Sequence, residues 1–386
     1  MTSFSKHIGK FGFIALFLML IQSCETPEKV LKSNDLDYKI KTATSWYNKK
    51  QYVKCIPVFE ELMGLLKGTK STEDIYYMYA MANYRQGDYL IAAYHFNNFG
   101  KLYPNSPKAE ECAYMAARSH QKLSPKYQLD QTNTYKAIET YQTFVNMYPE
   151  SNRVDSANIE FQKLKKKLEI KAVKNAELYY KTENYKAAAT SFKNLLVDYP
   201  DVDNPDYVYF MIIKAYDKYA GNSVAYKKAE RYRDVAKSFD EFVYRFPKSK
   251  YIAQGKKIAE DSHFKTVLGA SELMNTVRLD EKPREYPKAI REIETQIPLI
   301  TNEKQKKKAQ KILEKTYLQW MKNDVLLAED AKPEQKINLY EQSVKNYYTF
   351  VDKYKGSSYA KAAEKNFLQA SDKLKKLKEN GQEQKN

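Results

Sequence analysis

The alternation of apolar and polar positions becomes periodic once the chain is aligned on four of its prolines. Phe99-Gly100-Lys101-Leu102-Tyr103-Pro104, Phe144-Val145-Asn146-Met147-Tyr148-Pro149, Leu195-Leu196-Val197-Asp198-Tyr199-Pro200 and Phe242-Val243-Tyr244-Arg245-Phe246-Pro247 share two features. A large apolar residue stands five before the proline and an aromatic one directly before it. The prolines are 45, 51 and 47 residues apart (149 − 104, 200 − 149, 247 − 200). Eight before each stand Phe96, Tyr141, Phe192 and Phe239; twelve before stand Ala92, Ala137, Ala188 and Val235. Offsets of four and three place these side chains on one face of a helix. The small residue admits a neighbouring helix, and the large residues fill the space beside it. Two residues after three of the prolines come Ser106, Ser151 and Ser249, expected as N-caps of the next helix, with Pro107 at its first position.

Each such helix has a partner upstream. Ala80, Tyr84, Gly87-Asp88-Tyr89, Ala92, Phe96 and Pro104 follow the tetratricopeptide (TPR) consensus. That spacing predicts a helix over about 73–86, ended by Gly87 in the left-handed conformation, with Asp88 capping its successor. Ala176, Tyr179, Tyr180, Tyr185, Ala188, Phe192 and Pro200 repeat the frame; Ala43, Trp46, Tyr47, Tyr52, Cys55, Phe59 and Leu62 do so without the proline. The fold expected is all-α, a superhelical array of five or more TPR-like helical hairpins, with 36–265 as the repeat domain. Residues 266–373 read as a C-terminal helical extension holding one or two diverged hairpins. There Tyr340, Tyr347, Phe350 and Tyr354-Lys355-Gly356-Ser357 keep the aromatic frame with lysine in place of proline. Residues 374–386 are polar and read as a disordered tail. Cys55 fills a small-residue slot and Cys112 an alanine-rich helix, so both are expected as buried free thiols.

The third cysteine belongs to a different kind of segment. Lys6 and Lys10 precede an apolar run from Phe11 to Ile21, eleven residues long. As a helix it reaches about 16 Å, against a hydrocarbon core of roughly 30 Å, the size of a signal-peptide core and too short to span. Ile21-Gln22-Ser23-Cys24 then resembles a bacterial lipobox. Residues 1–23 are therefore expected as a lipoprotein signal peptide, Cys24 as the lipidated residue, and 24–35 as a lipid-anchored tether.

Composition agrees with long helices: 34 tyrosines, but 11 glycines and 13 prolines among 386 residues. The formal net charge of +17 comes from lysines spread along the chain. Spread in this way they describe a solvated basic face, and with export expected they do not point to a nucleic-acid site. Four histidines (His7, His95, His120, His263) have no metal-ligand spacing, and no phosphate-binding glycine motif occurs. No enzyme activity, metal or cofactor is expected beyond the covalent lipid on Cys24.

With the lipobox, five long hairpins and the string Phe-x-x-x-Tyr-Pro-x-Ser (99–106, 144–151) in place, the sequence resembles the BamD-type outer-membrane protein assembly lipoproteins. The insert from Ser124 to Glu139 is similar to one found in Bacteroidetes-like members. The resemblance covers roughly 24–265. It implies a subunit of the β-barrel assembly (BAM) machinery, lipid-anchored at the periplasmic face of the outer membrane. Its implied partners are the POTRA-containing barrel assembly protein and unfolded outer-membrane proteins. From the repeat register, positions on the first helix of each hairpin that point away from the second form a candidate groove for peptide or partner: Tyr47, Asn48, Tyr77, Met81, Tyr84, Arg85, Tyr180 and Lys181. The residue pattern leaves two other classes open. One is a TPR lipoprotein adaptor of another envelope complex. The other is a ligand-binding lipoprotein, although only Trp46 and Trp320 are present to stack on a glycan. The 124–134 insert reads as a contact loop or a spacer.

Overall fold

The computed structural model describes residues 25–67 and 69–383; Cys24 and the expected signal peptide lie outside the described residues. The chain divides into two compact units, Met1–Lys171 and Ala172–Asn386. The division falls inside the expected 36–265 domain.

In the first unit a short helix, α1 (Pro27–Leu31), precedes three helical hairpins: α2/α3 (Leu36–Asn48, Tyr52–Leu65), α4/α5 (Lys70–Gln86, Tyr89–Leu102) and α6/α7 (Ala109–Leu123, Thr132–Met147). The first part of α8 (Val154–Lys181) closes the unit, packing Ala157 and Leu164 against Tyr141 and Phe144. The expected tether is partly structured. Proline at the first position starts α1, and Val30 is fully buried beside Trp46 and Phe59.

In the second unit the rest of α8 pairs with α9 (Tyr185–Asp198), and α10 (Pro205–Gly221) with α11 (Ala225–Arg245). The extension continues the series. Helices α12 (Ile252–Thr276) and α13 (Lys282–Gln296) form one more hairpin, so α12 runs through the expected boundary at 265. Then come α14 (Glu303–Asp330), α15 (Pro333–Lys353) and a final helix α16 (Ala360–Glu383). The expected tail is helical to Glu383, because Leu374 and Leu377 follow Ala370 at helical spacing and pack with Val325 and Tyr340. Close approach holds α12 to α11: a Cβ on Gly269 would stand 2.9 Å from the Cβ of Lys228.

The periodic positions form the cores. Ala92, Phe96, Phe99, Ala137, Tyr141, Phe144, Ala188, Phe192 and Leu195 are at most 1% exposed. Burying each such aromatic is worth roughly 1.5–3 kcal/mol. Cys55 and Cys112 are free and buried, and burial pushes both thiols up to about 12.

Two local devices recur. At the hairpin turns Lys50, Gly87 and Glu183 occupy the same register and all have positive φ (59°, 101° and 62°). The tyrosine three before and the tyrosine two after pack edge to face across the turn: Tyr47–Tyr52 at 6.0 Å, Tyr84–Tyr89 at 5.3 Å, Tyr180–Tyr185 at 5.3 Å. Between hairpins the aromatic residue leaves the helical region in one shared conformation: Tyr103, Tyr148, Tyr199, Phe246 and Tyr354 have φ between −122° and −133° and ψ between 55° and 75°. A following proline disfavours the helical conformation of the residue before it, which ends the helix there. Tyr354 adopts the shared conformation before a lysine, so the helix-ending geometry is kept even where the proline is missing.

The serines in these loops depart from the expectation. Ser106, Ser151 and Ser249 are not N-caps; the helices begin three residues later, at Ala109, Val154 and Ile252. Each Oγ instead accepts the backbone N–H two residues on (Lys108, Arg153, Tyr251) and gives its own proton to an acid at the start of the preceding hairpin. The pairs are Ser106–Glu73, Ser151–Glu110 (2.6 Å) and Ser249–Asp206 (2.7 Å). Asp88 does sit at the N-cap of α5, but its side chain makes no capping bond.

Candidate functional site

The first helix of each hairpin carries the expected groove positions. Tyr47, Tyr77 and Tyr84 are half-buried and Asn48 and Arg85 exposed. The three tyrosines gather with Met81 around Ala80, Phe96 and Cys112. Met81 is 5% exposed and belongs to this core. It is a packing residue and not, as expected, a groove residue, since Tyr77 and Tyr84, four before and three after on the same face, pack in the same cluster. Burial and the adjacent Glu111 carboxylate push the Tyr77 phenol far above its ordinary value, so it stays neutral. The Lys108 ammonium stands 5.7 Å from its ring. Tyr180, half-buried, and Lys181, exposed, belong to the second unit, where the Lys214 ammonium lies 5.2 Å from the Tyr180 ring.

One repeat further on, the same positions open into a pocket of about 370 Å³ between α6 and α8. The acids bound by the loop serines set the register, Glu73 in α4 and Glu110 in α6, a shift of 37 (110 − 73). Applied to Tyr77, Met81, Tyr84 and Arg85, it gives Tyr114, Arg118, Gln121 and Lys122, which are the residues α6 contributes to the pocket. Helix α8 adds Ser156, Glu160, Lys163, Leu164 and Lys167. Sequence reasoning stopped one repeat short of these residues; the serine–acid frame was the signal that locates them.

The pocket is polar and positive. Four cations (Arg118, Lys122, Lys163, Lys167) face one acid, Glu160. The Lys163 ammonium bonds Glu160 at 2.8 Å and holds its carboxyl below the usual range. Gln121 bridges inward, donating to Glu160 and accepting the Tyr141 hydroxyl at 2.7 Å. The Tyr114 hydroxyl lies 3.1 Å from the Ser156 hydroxyl. The Arg118 guanidinium sits 6.0 Å from the Tyr114 ring, and its buried Nε has no hydrogen-bond partner. Burial lowers the Lys167 ammonium from its ordinary value. A partly exposed arginine beside an aromatic ring suits a carboxylate attached to an apolar group.

The insert after α6 is a compact loop beside this pocket. Gln131 donates to the Lys126 and Leu129 carbonyls (2.9 and 3.0 Å), and α8 reaches over it through Lys167 to Ser124 (2.8 Å) and Lys171 to Leu129 (2.6 Å). Leu129 and Tyr135 are left exposed. Among the described residues no group of three or more His, Cys, Asp or Glu side chains is arranged to hold a metal ion. No described helix is long and apolar enough to cross a membrane.

Tandem helical hairpins that repeat along the chain define a class, the TPR-like repeat scaffold. Within that class, residues 37–204 and 178–291 match the YfiO family of outer membrane lipoproteins, and the chain belongs to that family. It is 24% identical over 234 residues to the outer membrane protein assembly factor BamD of Pasteurella multocida (strain Pm70), a match covering 58% of this chain and 90% of the relative. It is 25% identical over 203 residues to the putative outer membrane protein assembly factor BamD of Aquifex aeolicus (strain VF5), covering 52% and 66%. Among solved structures, the TPR2AB domain of yeast Sti1 aligns at 14% identity and a TM-score of 0.30, covering 73% of this chain and 97% of that one. A superposition that loose adds nothing to the fold described above.

Proposed function

We propose that this protein is a non-enzymatic lipoprotein subunit of the outer-membrane β-barrel assembly machinery. Lipid on Cys24 anchors it at the periplasmic face of the outer membrane. It binds the periplasmic POTRA region of the barrel-forming subunit and helps receive unfolded outer-membrane proteins. The observation that carries the reading is the family match across 37–291, joined by two relatives named as assembly factors. Geometry supports a peptide-binding mode. The first helices of the first unit present half-buried tyrosines, then the cationic pocket around Arg118. An extended segment that alternates aromatic and polar residues can lay its rings against the tyrosines and set an acidic group beside Arg118 and Lys163.

The test is site-specific photo-cross-linking in native membranes. A photoreactive amino acid replaces Lys122 or Arg85, both exposed beside the groove, and as a control Tyr244, which is 88% exposed on α11. Adducts to the barrel subunit or to unfolded outer-membrane proteins are expected from Lys122 and Arg85. Adducts from Tyr244 alone would reject the groove.

A further inference from the structure

The pocket between α6 and α8 has a counterpart in the extension, in the same register. Ser357 donates to Glu314 at 2.6 Å, as Ser151 does to Glu110, so α6 maps onto α14 with a shift of 204 (314 − 110) and α8 onto α16 with a shift of 206 (357 − 151). Arg118, Gln121 and Lys122 become Lys322, Val325 and Leu326; Ser156, Glu160 and Lys163 become Ala362, Asn366 and Gln369. All six of these extension residues line a second pocket, of about 340 Å³, between α14 and α16. The family match ends at residue 291, so this pocket lies wholly beyond it.

Its chemistry has changed in a definite direction. Gln121, Lys122 and Ser156 are replaced by aliphatic side chains, and the acid Glu160 by Asn366. Leu326 is 51% exposed at the opening and Val325 is buried in the floor. Lys322 and Lys365 remain exposed at the rim, against a single acid, Glu329. The Asn366 amide donates to Ser343 at 3.1 Å, which fixes the side chain in the floor.

We infer that the extension carries a second binding groove, between α14 and α16, for an extended peptide that places a large apolar side chain on Leu326 and Val325 and an acidic group beside Lys322 and Lys365. This rests on reading the α6–α8 pocket as a peptide groove, since shared register is what links the two. Where the first pocket selects mainly for charge, the second selects mainly for an apolar side chain. One chain would then hold two segments of a client, and the second contact would be favoured by the first through raised effective concentration.

The experiment uses the full chain in detergent micelles. The probe is a fluorescein-labelled peptide of repeated phenylalanine-aspartate-serine, read by anisotropy. Leu326→Ala, and Leu326→Glu combined with Gln369→Glu, remove the second groove. Lys122→Glu with Lys163→Glu removes the first, and Tyr244→Glu is the control for added charge. Circular dichroism checks that helicity is kept; all the substituted side chains are at the surface. Two binding sites are expected, with either second-groove variant weakening one of them about ten-fold or more and the first-groove variant leaving that site intact. If the second-groove variants bind like the unsubstituted chain while the first-groove variant weakens binding, the extension site is rejected and the first groove stands. The reverse pattern keeps the extension site and rejects the first groove. If instead light scattering shows a dimer that Leu326→Glu dissociates, the pocket takes a second copy of this chain, and the peptide assignment is overturned.

Discussion

The Ser357 hydroxyl donates to the Glu314 carboxylate at 2.6 Å, the same bond that Ser151 makes to Glu110 at 2.6 Å and Ser249 to Asp206 at 2.7 Å. Each joins the loop after one hairpin to the first helix of that hairpin. The contact combines a turn, in which the serine accepts the amide two residues on, with a charge-assisted bond that fixes where the next helix starts. In the first unit it is reinforced by Arg153, 3.0 Å from Glu110.

Replacing the serine should loosen the array locally. Ser357→Ala removes a bond to a charged acceptor that is partly solvated, so a loss of about 1 kcal/mol is expected. Trp320 lies in the same unit and reports it: in a Trp46→Phe background, the urea midpoint read from Trp320 fluorescence should fall. An unchanged midpoint would mean that the bond is incidental to the loop.

The hairpin turns supply a second expectation with the opposite sign. Lys50 and Glu183 hold the left-handed conformation that Gly87 holds at the matching turn. A side chain in that region costs roughly 1–2 kcal/mol, partly offset by glycine's greater freedom in the unfolded chain. Lys50→Gly and Glu183→Gly should each stabilise the protein by up to about 1 kcal/mol, and Gly87→Ala should destabilise it by a similar amount. Thermal unfolding in which Lys50→Gly melts lower than the unsubstituted chain contradicts this.

Asp324 gives the extension a pH dependence. It is fully buried in α14. One carboxylate oxygen has no partner, the other receives the Asn346 amide at 3.4 Å, and neighbouring Asn323 is buried with neither amide atom bonded. Burial raises the Asp324 carboxyl to about 8, with the nearby Trp320 pulling weakly the other way. The titratable group coupled to it from α13 is Tyr286, and from α15 the uncharged Asn346 amide reaches it. In the folded protein the acid stays protonated up to about pH 8, whereas in the unfolded chain it ionises near pH 4. Between those values the folded state binds one proton more. The second unit should therefore be most stable below about pH 4 as far as this group is concerned, lose on the order of 1 kcal/mol per pH unit across the window, and level off above it. Asp324→Asn should flatten that slope in urea titrations followed by Trp320 fluorescence. A slope that survives the substitution would place its origin elsewhere.

How much of this was legible in the sequence depends on what each residue answers to. Ala92, Phe96 and Phe99, or Ala188, Phe192 and Leu195, repeat because each hairpin must close on the next with the same volume, and that constraint is visible as spacing. Gly87 was legible because only glycine adopts its conformation cheaply; Lys50 and Glu183 at the same turn were not, because neither residue type marks a positive φ. Beyond 265 the repeat boundary was harder to see. Lys355 stands where a proline marks the boundary elsewhere, yet Tyr354 and Ser357 make the same turn and the same bond to the acid. Met81 looked like a groove residue because helical periodicity gives its angle but not the reach of Tyr77 and Tyr84 beside it. The Arg118 pocket needed knowledge of which helices become neighbours. Asp324 could not be told from a surface acid by its neighbours in sequence.

The central claim concerns the complex the protein enters, and one experiment addresses it directly. A tag at the C-terminus, cross-linking of native membranes solubilised in mild detergent, and identification of what co-purifies reveal the partner. Recovery of a POTRA-bearing outer-membrane barrel protein, cross-linked within residues 24–265, is the expected result. Recovery of only a secretin or a nutrient transporter, or of no stable partner, would contradict it and leave a TPR-like lipoprotein serving another envelope complex.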